Sequence, residues 1–203
     1  MLSSVSANAA TNIQSIAPHG HVSFEAIGRP SMLKIKGEGD GAIADLKVDD
    51  HKVNGTIKFD LNALKTGIEL RDEHMKEKYL QVKQSDFSTA VMTFTDFPIP
   101  LSWSAKEAKV ASWTFQATLK LHGVQNSITG TYSIGTNKMD MQAKFDIKLS
   151  DYKIDIPTYL GVKVADVVNV TVTFPEMKIS EVASPSPAPA PAAEKAPIKA
   201  KKK

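Results

Sequence analysis

The chain has 203 residues, 42% hydrophobic and 23% charged, which fits one folded domain plus a tail and is too apolar for a disordered chain. It has no cysteine, which excludes disulfides, thiolate nucleophiles and thiolate-held metal clusters, and no apolar run near the ~18 to 20 residues of a membrane-spanning helix. The net charge is +3, but five lysines and one glutamate from Ser184 onward leave −1 on residues 1–183, unlike the basic folded face of a nucleic-acid reader.

Met1 to Ile16 is uncharged and rich in Ser, Ala and Asn. It lacks the positive start and apolar run of an export signal, yet Ala7-Asn8-Ala9 has the small-x-small form of a cleavage site. Residues 1–17 are therefore expected to be a flexible segment, either a signal-peptide remnant or an ordinary loose end. His19 and His21 are spaced to share one face of a strand, but with only His51, beside Asp49 and Asp50, as a distant third ligand, no metal site is expected.

From there the period is two. Val53, Gly55, Ile57, Phe59, Leu61 and Ala63 alternate with polar residues, and so do the sets running from Ala111 to Leu121 and from Met139 to Leu149, each predicting a long half-buried strand. Shorter segments of the same kind are Val22 to Ile27, Met32 to Glu38, Ala42 to Val48, Val91 to Phe97, Ser127 to Ile134 and Val167 to Phe174. Gly37-Glu38-Gly39-Asp40-Gly41 reads as a hairpin turn, since it opens no helix and carries acids where a phosphate would sit. The one helical pattern is Asp72 to Val82, with Met75, Tyr79 and Val82 on one face. Trp103 and Trp113 flank a lysine-containing loop, but the charge of the body speaks against single-stranded nucleic acid. Ser184 to Lys203 has five prolines in 20 residues, and residues 182–203 are expected to be an extended tail, passive or in contact with an anionic surface.

Strands of 10 or 11 residues are long for a sandwich and suit a closed barrel. The fold expected is all-β: a single antiparallel up-and-down barrel of about eight strands over residues 18–181, with one short helix near residues 72–82. By phase alone Phe24, Phe59, Leu61, Phe115, Leu119, Phe145, Ile147 and Val170 form its inner wall. Gly55, Ala63, Ala111, Ala117 and Ala143 share the inward phase, either leaving room for a ligand or fitting the taper of a packed core.

Three stretches resemble the YceI-like family of polyisoprenoid-binding proteins: Leu64-Lys65-Thr66-Gly67-Ile68-Glu69-Leu70-Arg71-Asp72-Glu73-His74-Met75, then Leu119-Lys120-Leu121-His122-Gly123-Val124, then Phe145-Asp146-Ile147-Lys148-Leu149-Ser150-Asp151-Tyr152. The chain departs from the family pattern at Ala26-Ile27-Gly28-Arg29 and Lys78-Tyr79-Leu80. The resemblance implies a lipocalin-like barrel whose tunnel takes an isoprenoid quinone, a polyisoprenoid or a fatty amide, in a periplasmic or secreted protein that is not an enzyme and uses no cofactor.

Arg71, Asp72 and His74 are the densest polar set. They are read either as a head-group contact, with a guanidinium fork suited to phosphate, or as a turn in which Asp72 caps the helix. His122 is either a satisfied turn histidine or a group at the tunnel end. Expected partners are a long-chain lipid, an anionic surface through the tail, no nucleic acid, and a second copy in a homodimer. A filled scaffold tethered by the lysines is the alternative to a carrier. A hydrolase built on Asp72 and His74 lacks a recognisable nucleophile.

Overall fold

The computed structural model describes residues 10–16, 19–29, 33–99, 112–135, 140–159 and 162–182. The expected cleavage site, Trp103, Ala111, Met139 and the Pro/Lys-rich tail from Ser184 lie outside these residues.

Eleven strands are present among the described residues: β1 Ala10–Ser15, β2 Gly20–Arg29, β3 Leu33–Asp49, β4 Lys52–Asp60, β5 Thr89–Pro98, β6 Ser112–Leu121, β7 Val124–Ile134, β8 Met141–Lys148, β9 Thr158–Tyr159, β10 Val162–Phe174 and β11 Met177–Val182. Eight of them close a ring in the order β2, β3, β4, β5, β6, β7, β8, β10 and back to β2, every pairing antiparallel. This is the expected up-and-down barrel. Ring strands follow one another along the chain, with only the two-residue β9 set between β8 and β10, apart from the closing β10–β2 pair, and the connection from β4 to β5 carries the helical segment.

β1 and β11 extend one end. β1 takes over from β2 along the edge of β3, pairing Thr11 with Val48 through Gln14 with Asp45, and β11 pairs with β1 from Ala10–Val182 to Ser15–Met177. Each is thus the continuation of a barrel strand, β1 of β2 and β11 of β10, the latter after a break at Pro175-Glu176. Ala10–Ser15 is a strand, although it falls in the stretch expected to be loose. Its only apolar residues, Ala10 and Ile13, are three apart and on opposite phases, which leaves no alternation to read.

The glycine run is not a turn. The two segments expected on either side of it belong to one 17-residue strand, β3 Leu33–Asp49, with Met32 outside the described residues. Its inward phase is held by Gly37 and Gly39, then by Ala42, Ala44, Leu46 and Val48. The step from odd to even positions is absorbed by a bulge at Gly41, where φ is +105° and the register against Gly20 and His21 shifts. Gly39 is glycine because another backbone lies against it: a Cβ there would sit 2.7 Å from the Ala63 carbonyl oxygen. Gly55, φ +136°, lies opposite a second bulge, whose extra residue is in β5 where Asp96 has φ +47°, and is pressed on the Asp45 backbone rather than opening space inside.

Two hairpins close in two residues with positive φ at both, Asp50-His51 between β3 and β4 and His122-Gly123 between β6 and β7. That is the turn whose twist matches paired strands. The helix begins earlier than its pattern predicts. α1 spans Glu69–Glu73 and continues as a wider π turn, His74–Tyr79, whose Leu80 N–H donates to the Met75 carbonyl at 2.9 Å. The core runs along the whole barrel interior, with Phe174, Ala42 and Tyr152 the most deeply buried.

Candidate functional site

The barrel interior is not filled. A cavity of about 570 Å³ occupies the half of the barrel at the helix end, within the range of small-molecule sites. Of the eight residues expected on the wall, Phe24, Phe59, Leu61, Leu119, Phe145, Ile147 and Val170 line it. Phe115 does not: it lines a second space of about 80 Å³ toward the β1–β11 end and meets Phe145 edge-on at 6.2 Å. The inward small residues Ala117 and Ala143 are buried, and Ala143 borders the smaller space.

The mouth is built by three elements. Leu33 and Ile35 enter from the start of β3, Pro157, Thr158, Val162 and Val164 from the β9–β10 side, and Ile68, Leu70, Arg71, His74, Met75, Tyr79 and Leu80 from α1 and its π turn. The π turn matters here, since one extra residue per turn swings Met75, Tyr79 and Leu80 together onto the cavity side. Most of these mouth residues were outside the expected site. Met75 and Tyr79 carried a signal in the helical spacing, whereas Leu33, Ile68 and Leu70 carried none. Ile68, at 53% exposed, Leu33 and Leu70 form an apolar rim in solvent.

Polar lining is confined to this end: Thr66, Arg71, His74, Tyr79 and Thr158. Arg71 Nε donates to Thr66 Oγ1 at 2.8 Å, and its Nη2 donates to the Thr66 carbonyl at 2.8 Å. Asp72 accepts from the Thr66 N–H at 2.6 Å and from its hydroxyl. Asp72 therefore does not cap the helix, which starts three residues before it with no side-chain cap. It locks the Thr66 turn, and with it the guanidinium at the cavity mouth. The loop is also tied to the barrel, because Glu38 and Lys65 exchange both backbone hydrogen bonds at 2.8 Å.

His74 lies on the exposed side of the mouth, and no hydrogen bond joins it to Asp72 among the described residues. His122 is not at the cavity surface. Its ring is buried under Phe87, centroids 4.2 Å apart, with Nδ1 on the Tyr152 carbonyl at 3.1 Å and Nε2 without a protein partner. Tyr152 is 1% exposed, and burial together with the Asp151 carboxylate pushes its hydroxyl up to about 12. His21 is engaged by Asp40 at 2.8 Å, and no group of three potential ligands for a metal forms among the described residues.

The model of the YceI-like domain matches residues 14–175. The chain belongs to the YceI-like family. Among solved structures of similar fold is a polyisoprenoid binding domain from Saccharophagus degradans implicated in plant cell wall breakdown, at 17% identity and a TM-score of 0.56, covering 87% of this chain and all of that one. Another is BcnA of Burkholderia cenocepacia, at 14% identity and a TM-score of 0.58, covering 79% of this chain and 96% of that one. At such identities the likeness is one of fold, and the YceI-like barrel described above is what they share. No curated protein matches the sequence. No helix among the described residues is long and apolar enough to cross a membrane.

Proposed function

We propose that this YceI-like protein binds one long apolar lipid, an isoprenoid quinone, polyisoprenoid or fatty amide, with its chain in the large cavity and its polar end at Arg71, Thr66 and Thr158. The observation that carries this reading is the segregation of the cavity: about 570 Å³ walled by aliphatic and aromatic side chains, with every polar lining group at the open end. Burial supplies about 0.8 kcal/mol per methylene, so ten buried methylenes contribute about 8 kcal/mol before ordering costs are subtracted. The unfilled volume favours carriage over the alternative of a filled scaffold tethered by the lysine tail. Binding without chemistry is part of the proposal, since Asp72 is spent on Thr66 rather than on activating a nucleophile. An exported location, periplasmic or secreted, is part of it too, supported by the Ala7-Asn8-Ala9 sequence.

The test is mass spectrometry of the purified protein under native and denaturing conditions, with an Ala26→Phe variant beside it, since Ala26 lines the cavity at 3% exposure. A species that rides with the native protein, leaves on denaturation and is lost in the variant supports the reading. A bare polypeptide mass in both conditions, with no uptake of added lipid, overturns it.

A further inference from the structure

The two cavities share three lining residues, Ile57, Met92 and Val172. Ile57 and Met92 are directly paired across β4 and β5, while Val172 comes from β10. In the ring of eight, β5 and β10 lie four strands apart in either direction. Met92 and Val172 therefore stand on opposite walls, and together with Ile57 they form a waist that divides one continuous interior into a large chamber and a small one. All three are buried. The small chamber beyond is lined by apolar side chains such as Ile13, Phe94, Phe97 and Ala143. An apolar space of this size stays dry and accepts hydrocarbon.

We infer that this waist is the stop that sets the length of the bound chain, and that Met92 is its movable part. The inference rests on the proposed lipid carriage. Ile57 and Val172 are β-branched and stiff at χ1, whereas Met92 is unbranched with three rotatable side-chain bonds. From Val164 at the mouth to Val172 at the waist, β10 advances along β2 from Gly28 to Val22, six residues once the irregularity between Val164 and Val168 is allowed for, or roughly 15 Å along the axis of a barrel with strands tilted by about 40°. Met177, at the base of the small chamber, lies five residues further, roughly another 12 Å. A chain that reaches the waist fills the large chamber. A longer one must either displace Met92 or leave its excess in water.

The experiment titrates the full, delipidated chain with straight-chain primary fatty amides of increasing length. In the natural sequence, affinity is expected to rise about fourfold per added methylene and then level off. In Met92→Ala the rise is expected to continue for several further methylenes, and Met92→Val, which keeps a strand-forming side chain, is expected to extend it by less. Adding Ala143→Leu to Met92→Ala fills the small chamber and should return the break to its original length. The same break in all the variants, or no break in the natural sequence, overturns the waist while leaving lipid carriage intact. Failure of every amide to bind overturns the waist and the fatty amide as ligand, and leaves the other lipids to the mass-spectrometric test.

Discussion

Gly39→Ala separates two meanings of glycine in this chain. A turn glycine there would accept alanine at the surface, but in the barrel the new Cβ would stand 2.7 Å from the Ala63 carbonyl oxygen, 2.9 Å from its carbon and 3.0 Å from Phe59 Cζ. Two of these atoms are backbone and cannot rotate away. Overpacking of this kind costs about 1–3 kcal/mol, offset by about 0.4–1 kcal/mol from the reduced freedom of the unfolded chain. The net expectation is a loss of about 1–2 kcal/mol, which for a domain of this size lowers the midpoint of thermal unfolding by roughly 3–8 °C. Gly37→Ala is the control. Its Cβ meets the rim of the Phe24 ring at 2.4 Å, and that ring borders open cavity into which it can turn, while the nearest backbone atom, the Lys65 carbonyl oxygen, is 3.1 Å away. Calorimetry of the two variants should rank Gly39→Ala well below Gly37→Ala. Amide exchange should show faster opening of the Glu38–Lys65 pair, because the displaced segment carries Lys65. A Gly39→Ala midpoint within experimental error of the natural chain, or equal losses in both variants, would refute the close-approach argument.

Two other outcomes follow from the helix end. Asp72→Ala removes the one oxygen that accepts from both the N–H and the hydroxyl of Thr66, so a loss of about 1–3 kcal/mol is expected, with faster release of bound lipid in a dilution assay; unchanged stability and release would show that Arg71 holds the turn alone. Tyr152, with its hydroxyl held up to about 12, gives up protons later in the folded chain than in the unfolded one. Stability present below about pH 10 is therefore lost as pH rises toward 12, by up to about 1.4 kcal/mol per pH unit. Denaturant melts of Tyr152→Phe should lack that alkaline slope and match or exceed the natural chain at pH 7, because the hydroxyl has no protein partner; an identical slope in the variant would place its origin elsewhere.

Alternation with a period of two was enough to read the barrel from the residues, because each strand has one wet and one dry face. It was not enough to place the ends of β3. Glycine serves both turns and close backbone contacts, and the run from Gly37 to Gly41 does the second while looking like the first. Phase also assigned seven of the cavity residues, yet phase says only which way a side chain points. Phe115 and Phe145 point inward alike and both stand opposite Gly130 of β7, yet one lines the small space and the other the large, a difference that phase does not carry. The mouth was least legible, since Leu33, Ile68 and Leu70 are gathered from separate segments by barrel closure and carry no shared spacing.

The pairing of Ala10 with Val182 brings the first and last described strands out side by side at the base, level with the β3–β4 hairpin and opposite α1. For handling the protein, this means that a purification tag, a fluorescent reporter or a surface anchor joined directly at Ala10 or Val182 departs from the floor, at the end away from the opening. Immobilised through either strand, the barrel would stand like a cup on a table. It also makes the molecule a natural candidate for circular permutation: a short linker from Val182 to Ala10 would free new ends to be cut at the Asp50-His51 turn.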